Sequence, residues 1–231
     1  MLQRLFALGL FAGMPFLATA AFGQTGQAQS PIECGKKDLV EDADCRQKLK
    51  GLFTRKGSTL TLNLDGGKSK TYVGNHAACR DGDASKCLVF RVESYFPQTR
   101  SYLVQRGHYE CGGRHWVSRR TGSEIEIDST YPAPVLSPNA KYLLSLDRGE
   151  ACDSKYYITI WSMATDPPKL EFTYRNTQYE MWEVTSWDDD THIRMTAWIN
   201  TNEASYDQEA ELVREKSGWA LRLGRKIDRP R

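Results

Sequence analysis

The sequence predicts a mostly β chain built from antiparallel sheets, with one short helix near the N-terminus. Three observations carry this. Short apolar and aromatic runs recur from Ser58 to Leu223, most of them separated by Gly, Pro, Asp or Asn turn signals and none by a helical period. Eleven Tyr and six Trp supply amphipathic rings suited to half-buried sheet surfaces. Six cysteines follow an apolar leader, the pattern of an exported, disulfide-stapled fold.

The leader comes first. Arg4 gives a short positive region, Leu5 to Leu17 form an apolar run, and Ala18-Thr19-Ala20 or Ala21-Phe22-Gly23 offers small residues for cleavage. The run falls short of the ~20 apolar residues of a spanning helix and is interrupted by Gly9, Gly13 and Pro15. Residues 1–23 therefore read as a signal peptide, 24–31 as a polar lead-in, and 32–231 as a single disulfide-stapled β domain. The expected location is periplasmic or secreted. The first cysteine, Cys34, stands well after the apolar run, which argues against a lipid anchor.

Export places Cys34, Cys45, Cys79, Cys87, Cys111 and Cys152 in an oxidising space, where an even count implies bridges. Locality suggests Cys34 with Cys45, Cys79 with Cys87, and Cys111 with Cys152. The second pair is the best supported, because Arg80-Asp81-Gly82-Asp83 between its ends is turn chemistry. A zinc reading of His108, Cys111, His115 and Cys152 competes with the third, but no Cys-x-x-Cys accompanies it, and bridges are preferred.

The helix is expected over about 39–50. Asp38 and Glu41 resemble a capping box, and Gly51 is a natural stop. After Gly51 the period becomes two: Leu60, Leu62 and Leu64 alternate with polar residues, and Asp65-Gly66-Gly67 turns the chain into a second strand ending at Val73. Further strands are expected at Cys87 to Ser94, Ser101 to Arg106, His115 to Arg119, Glu124 to Ile127, Tyr142 to Leu146 and Tyr156 to Met163. The series continues at Leu170 to Tyr174, Tyr179 to Ser186, His192 to Ile199, Glu209 to Arg214 and Trp219 to Leu223. Gly112-Gly113, Thr121-Gly122, Pro138-Asn139, Asp166-Pro167-Pro168 and Asp188-Asp189-Asp190 are among the turn signals.

The segment Val135-Leu-Ser-Pro-Asn-Ala-Lys-Tyr-Leu-Leu-Ser-Leu can be laid over Val184-Thr-Ser-Trp-Asp-Asp-Asp-Thr-His-Ile-Arg-Met, and Ile158-Thr159-Ile160-Trp161-Ser162 closes the first unit with an alternating strand. Over residues 102–199 this resembles the blades of WD-repeat and periplasmic Tol-type β-propellers. Gly-His and Trp-Asp each occur once, at Gly107-His108 and Trp187-Asp188, without recurring from unit to unit as in WD repeats, and only two or three units can be drawn. The resemblance therefore implies a partial β-propeller-like fold, or a twisted β-sandwich of the same strands, and no particular activity.

Composition narrows the function classes. Thirty-one basic against 29 acidic residues, interleaved, provide no field for nucleic acid. Gly-x-Ser-x-Gly, Ser-x-x-Lys, phosphate-binding loops and dinucleotide fingerprints are all missing, so no cofactor and no metal are expected. Glu124 and Glu126 alternate with Ile125 and Ile127 and share one strand face, which leaves a paired-carboxylate hydrolase of glycans or cell-wall material as the alternative. A solvated strand face is the preferred explanation of the two acids, and a charged turn is preferred over a cation site for Asp188-Asp189-Asp190 with His192. Met195, Ala197 and Ile199 are expected to face the core, with Trp198 and Arg194 on the opposite side. Trp182, Trp187, Trp198 and Arg194 form the candidate binding surface, weighed against a second packed layer. The leading expectation is an exported binding or interaction module whose partner is a protein or glycan of the cell envelope, with no membrane span after cleavage.

Overall fold

The computed structural model describes residues 30–108, 111–127, 132–147, 158–175, 179–200 and 204–228, the side chains of 108, 111, 179, 180 and 228 excepted. The expected signal peptide, residues 24–29 of the lead-in, Tyr156, Tyr157 and Cys152 lie outside the described residues. Among those described, the chain is mostly β, with antiparallel sheets and two short helices.

The N-terminal segment forms β1 (Ile32–Glu33), β2 (Lys36–Lys37) and β3 (Val40–Glu41), then α1 (Ala43–Lys48). The helix begins later than the capping-box reading placed it. Its cap is Asp42, whose carboxylate accepts the Cys45 N–H at 2.7 Å, while Asp38 occupies the β2–β3 turn with φ of 57°. Glu41 cannot serve as a capping partner because its carboxylate is committed to Arg55. Cys45 is bonded to Cys34, tying α1 to its own leader as locality suggested.

A first sheet follows: β4 (Phe53–Lys56), β5 (Thr59–Asn63) and β6 (Ser69–Val73), in that order. The leucine alternation of β5 does what its period requires, burying Leu60 and Leu62 and leaving Thr59 and Thr61 on the other side. Gly66 and Gly67 take φ of 68° and 74° in the β5–β6 turn, conformations that cost other residues. Next comes α2 (His76–Arg80), a short helix the sequence reading did not anticipate. Asn75 caps it by accepting the Ala78 N–H, and the Cys79–Cys87 disulfide closes its exit.

The remaining chain is a succession of meanders. The second sheet has the order β1, β7 (Val89–Phe96), β8 (Ser101–His108), β9 (Cys111–Ser118), β10 (Glu124–Ile127). Gly112 and Gly113, read as a turn, lie within β9 opposite Gly107 and Arg106. A Cβ on Gly112 would stand 3.0 Å from the Arg106 carbonyl, so close backbone approach accounts for the small residue there. The third sheet is β11 (Val135–Leu136), β12 (Tyr142–Leu146), β13 (Ile158–Ser162) and β14 (Lys169–Tyr174). The fourth is β15 (Tyr179–Asp189), β16 (His192–Asn200), β17 (Ser205–Glu215) and β18 (Gly218–Asp228). The two segments aligned as a repeat are the first hairpins of the third and fourth sheets.

Packing stacks these sheets face to face. Leu60, Leu62 and Phe53 of the first sheet meet Val92, Tyr102, Val104 and Val117 of the second, with Leu49 at the end of α1. The opposite face of the second sheet, Phe96, Leu103, Trp116 and Ile127, packs on Leu143 of the third. Leu144, Leu146, Ile158 and Ile160 then face Trp182, Ile193, Met195, Ala197 and Leu212 of the fourth. Adjacent residues Leu143 and Leu144 thus point to different neighbours, as period two demands. The first and fourth sheets share no hydrophobic cluster among the described residues, so the stack is open and sandwich-like and no closed barrel forms.

One buried ion pair links the N-terminal hairpin to the first two sheets. Arg55 on β4 donates from Nε and Nη2 to Glu41 at 2.7 Å each, and from Nη2 to the Phe90 carbonyl at 2.7 Å. The Val92 N–H donates to the same carboxylate at 2.7 Å, and the side chains are only 0% (Glu41) and 5% (Arg55) exposed. Truncating one partner strands the other charge in the interior. Arg55→Met is expected to lower unfolding free energy by about 3–5 kcal/mol in urea titrations, whereas Glu215→Ala at an exposed pair costs less than about 1 kcal/mol.

Candidate functional site

Hairpins joining odd to even strands lie at one end of each meander, and at that end neighbouring sheets are joined by aspartates. Asp65, opening the β5–β6 turn, pairs with Arg100 at 2.6 Å and Arg119 at 3.4 Å, both from turns of the second sheet. Asp166, in the β13–β14 loop, accepts from the Ser118 hydroxyl at 2.5 Å and from the Ser123 hydroxyl across the second-to-third interface. Asp190, in the β15–β16 turn, accepts the Asn139 backbone N–H at 3.1 Å, the Asn139 side-chain amide at 3.0 Å and Lys141 at 3.1 Å. At this end each of the three interfaces therefore carries an aspartate clasped by donors from the adjoining sheet.

Two of these carboxyls are held below the usual carboxylate range. Burial pushes Asp166 upward, but the hydroxyls of Ser118, Ser123 and Thr121, with Arg120 nearby, outweigh it and hold the group below the usual carboxylate range. Burial likewise opposes ionisation of Asp190, and the donors on Asn139, Ser137 and Lys141 again outweigh it. Both aspartates are anions in the folded protein at neutral pH.

Between the second and third sheets, at this same end, lies a cleft of about 440 Å³. Gln98, Thr99 and Ser101 come from the β7–β8 hairpin, and Ser118 and Arg120 from the end of β9 and its turn. Pro138, Asn139 and Ala140 from the β11–β12 turn and Met163, Asp166 and Pro168 from the β13–β14 connection form the other wall, and Trp116 contributes to the apolar lining. The volume falls within the range of small-molecule sites. Its charged groups are one cation and one anion, Arg120 Nε standing 3.7 Å from Asp166.

The residues singled out from sequence are dispersed. Trp182 is 1% exposed and belongs to the core between the third and fourth sheets, its ring edge-on to Tyr174 at 5.7 Å. Trp187 packs against the same core rather than presenting a surface. The reason is a register shift between Val184 and Ser186, which flips side-chain parity so that Trp187 pairs with Ile193 on the inner face. Trp198 and Arg194 do lie opposite buried Met195, Ala197 and Ile199; the Trp198 indole donates to Ser205 at 3.0 Å, and Arg194 pairs with Asp188 at 2.8 Å. The fourth sheet thus carries two of the four candidates on its outer face and two in its core.

Glu124 and Glu126 also part company. Glu124 accepts from Tyr72 at 2.9 Å and Lys70 at 2.5 Å and lies against His115 Nδ1, whereas Glu126 is exposed with Arg106 at 3.7 Å. The hydrogen bond from His115, with those from Lys70 and Tyr72, overcomes burial and brings Glu124 down to about 2. A carboxyl so held carries no proton to donate near neutral pH, so Glu124 does not suit the acid of a paired-carboxylate mechanism. Of the zinc reading, His115 is engaged with Glu124, while Cys152 and the His108 and Cys111 side chains lie outside the described residues, as does the expected Cys111–Cys152 bridge. Among the described residues no group of three or more His, Cys, Asp or Glu is placed to hold a metal ion.

Because the Glu124 carboxyl is depressed on folding, its contribution to stability is present above its unfolded value and lost as pH falls through the folded one. Urea midpoints are expected to decline between about pH 4.5 and about pH 2. Glu124→Gln is expected to flatten that decline while leaving the low-pH limb unchanged, and an unaltered slope would contradict the assignment.

Comparison with protein-family models, with curated proteins and with solved structures finds no match for this chain.

Proposed function

We propose that this chain is an exported binding module that engages its ligand in the cleft between the second and third sheets. The cleft itself carries the reading: four separate chain connections converge there on a mixed polar and apolar surface held by sheets packed on both sides. Preorganised walls reduce the ordering cost of binding. Two disulfides, and the absence among the described residues of any helix long and apolar enough to cross a membrane, are compatible with an exported protein. Export to the periplasm or beyond, with a partner in the cell envelope, completes the proposal.

The test blocks the cleft without touching its clamps. Thr99→Arg places a long side chain at the cleft wall, and Arg222→Ala alters the distant outer face of the fourth sheet. Immobilised mature protein is incubated with envelope extract, and both captured protein and captured carbohydrate are quantified. Capture is expected to drop about tenfold for Thr99→Arg and to persist for Arg222→Ala. Equal capture by all three would remove the cleft from consideration.

A further inference from the structure

Resting on that reading, we infer that the cleft takes a neutral saccharide of one or two sugar rings. Arg120 and Asp166 are the charged side chains of the lining, 3.7 Å apart, so the cleft has no net charge to offer. An anionic ligand would meet the Asp166 carboxylate, which Ser118 and Ser123 keep as a hydrogen-bond acceptor. A cation would meet Arg120, and a hydrocarbon laid over the Gln98 amide would strip it of water without supplying a partner.

The uncharged polar groups suit a polyol. Asn139 spends its amide N–H on Asp190, which leaves its carbonyl oxygen as an acceptor, while Gln98 is exposed and brings donor and acceptor together on one side chain. Adjacent hydroxyls of a sugar, each both donor and acceptor, pair with such amides and with the Arg120 fork. The partly exposed Met163 and Pro138 provide apolar surface for the C–H faces of the ring, over buried Trp116 and Pro168. An extended peptide would seek a free strand edge for main-chain pairing. Here the nearby strands β8 and β9 are each paired on both sides, so none is available from them.

Saturation-transfer NMR on the mature, disulfide-intact protein tests this with cellobiose and chitobiose as neutral disaccharides, glucuronate as a sugar acid and a capped Gly-Ser tetrapeptide of similar size. Transfer to at least one disaccharide is expected, with apparent affinity falling about tenfold in Gln98→Ala and in Arg120→Ala and holding in Arg222→Ala. Thermal melts of each variant establish that the fold is retained. Absence of transfer to both disaccharides at about 10 mM, or transfer unaffected by the two cleft variants, overturns the saccharide assignment. Preferential transfer to the peptide or to glucuronate overturns it too, yet leaves the cleft as the binding site. Failure of the cleft reading itself would appear separately, as envelope capture indifferent to Thr99→Arg.

Discussion

Burial of the middle sheets on both faces is the constraint on which this structure depends. The second sheet receives Leu60 and Leu62 on one side and Leu143 on the other, and the third receives Leu103 and Trp116 on one side and Trp182 and Met195 on the other. Consecutive residues such as Leu143 and Leu144 must therefore both be apolar although they point in opposite directions. Each fully buried side chain of this size contributes on the order of 1.5–3 kcal/mol, so four thin sheets cooperate where a lone hairpin would be marginal.

A hydrophobic stack alone does not fix how far one sheet slides or rotates over the next. The aspartate clamps do this, because Asp65, Asp166 and Asp190 accept hydrogen bonds or ion pairs only in one register of the facing turns. The Glu41–Arg55 pair performs the same service at the N-terminus, joining β3, β4 and β7 through a carboxylate and guanidinium with directional demands. The cleft is a consequence: where turns of the second and third sheets are held near one another around Asp166, the space between them is bounded without being filled. Its walls are anchored at strand ends, so their polar groups sit on comparatively rigid supports.

The local features were legible wherever a period or a turn signal sufficed. The β5 alternation, the Gly66-Gly67 turn, the short-range Cys34–Cys45 and Cys79–Cys87 bridges and the orientation of Met195, Ala197 and Ile199 all follow from neighbours in sequence. Errors arose where a distant group intervened. Glu41 left its expected capping role because Arg55 lies across the fold, Trp187 reached the core because a bulge reversed its parity, and Gly112 entered a strand because Arg106 approaches too closely for a side chain.

The sequence by itself determined a mostly β chain of short antiparallel strands and pointed to two local disulfides, because alternation, turns and short loops act over a few residues. Only the tertiary structure decided which tryptophans are covered, which carboxylates are clasped and where a cleft opens. Gln98, Arg120, Asn139 and Asp166 share no motif and are separated by long stretches of chain. They meet because face-to-face packing brings the turns of successive sheets to one end, and that packing is a property of surfaces rather than of any local run of residues.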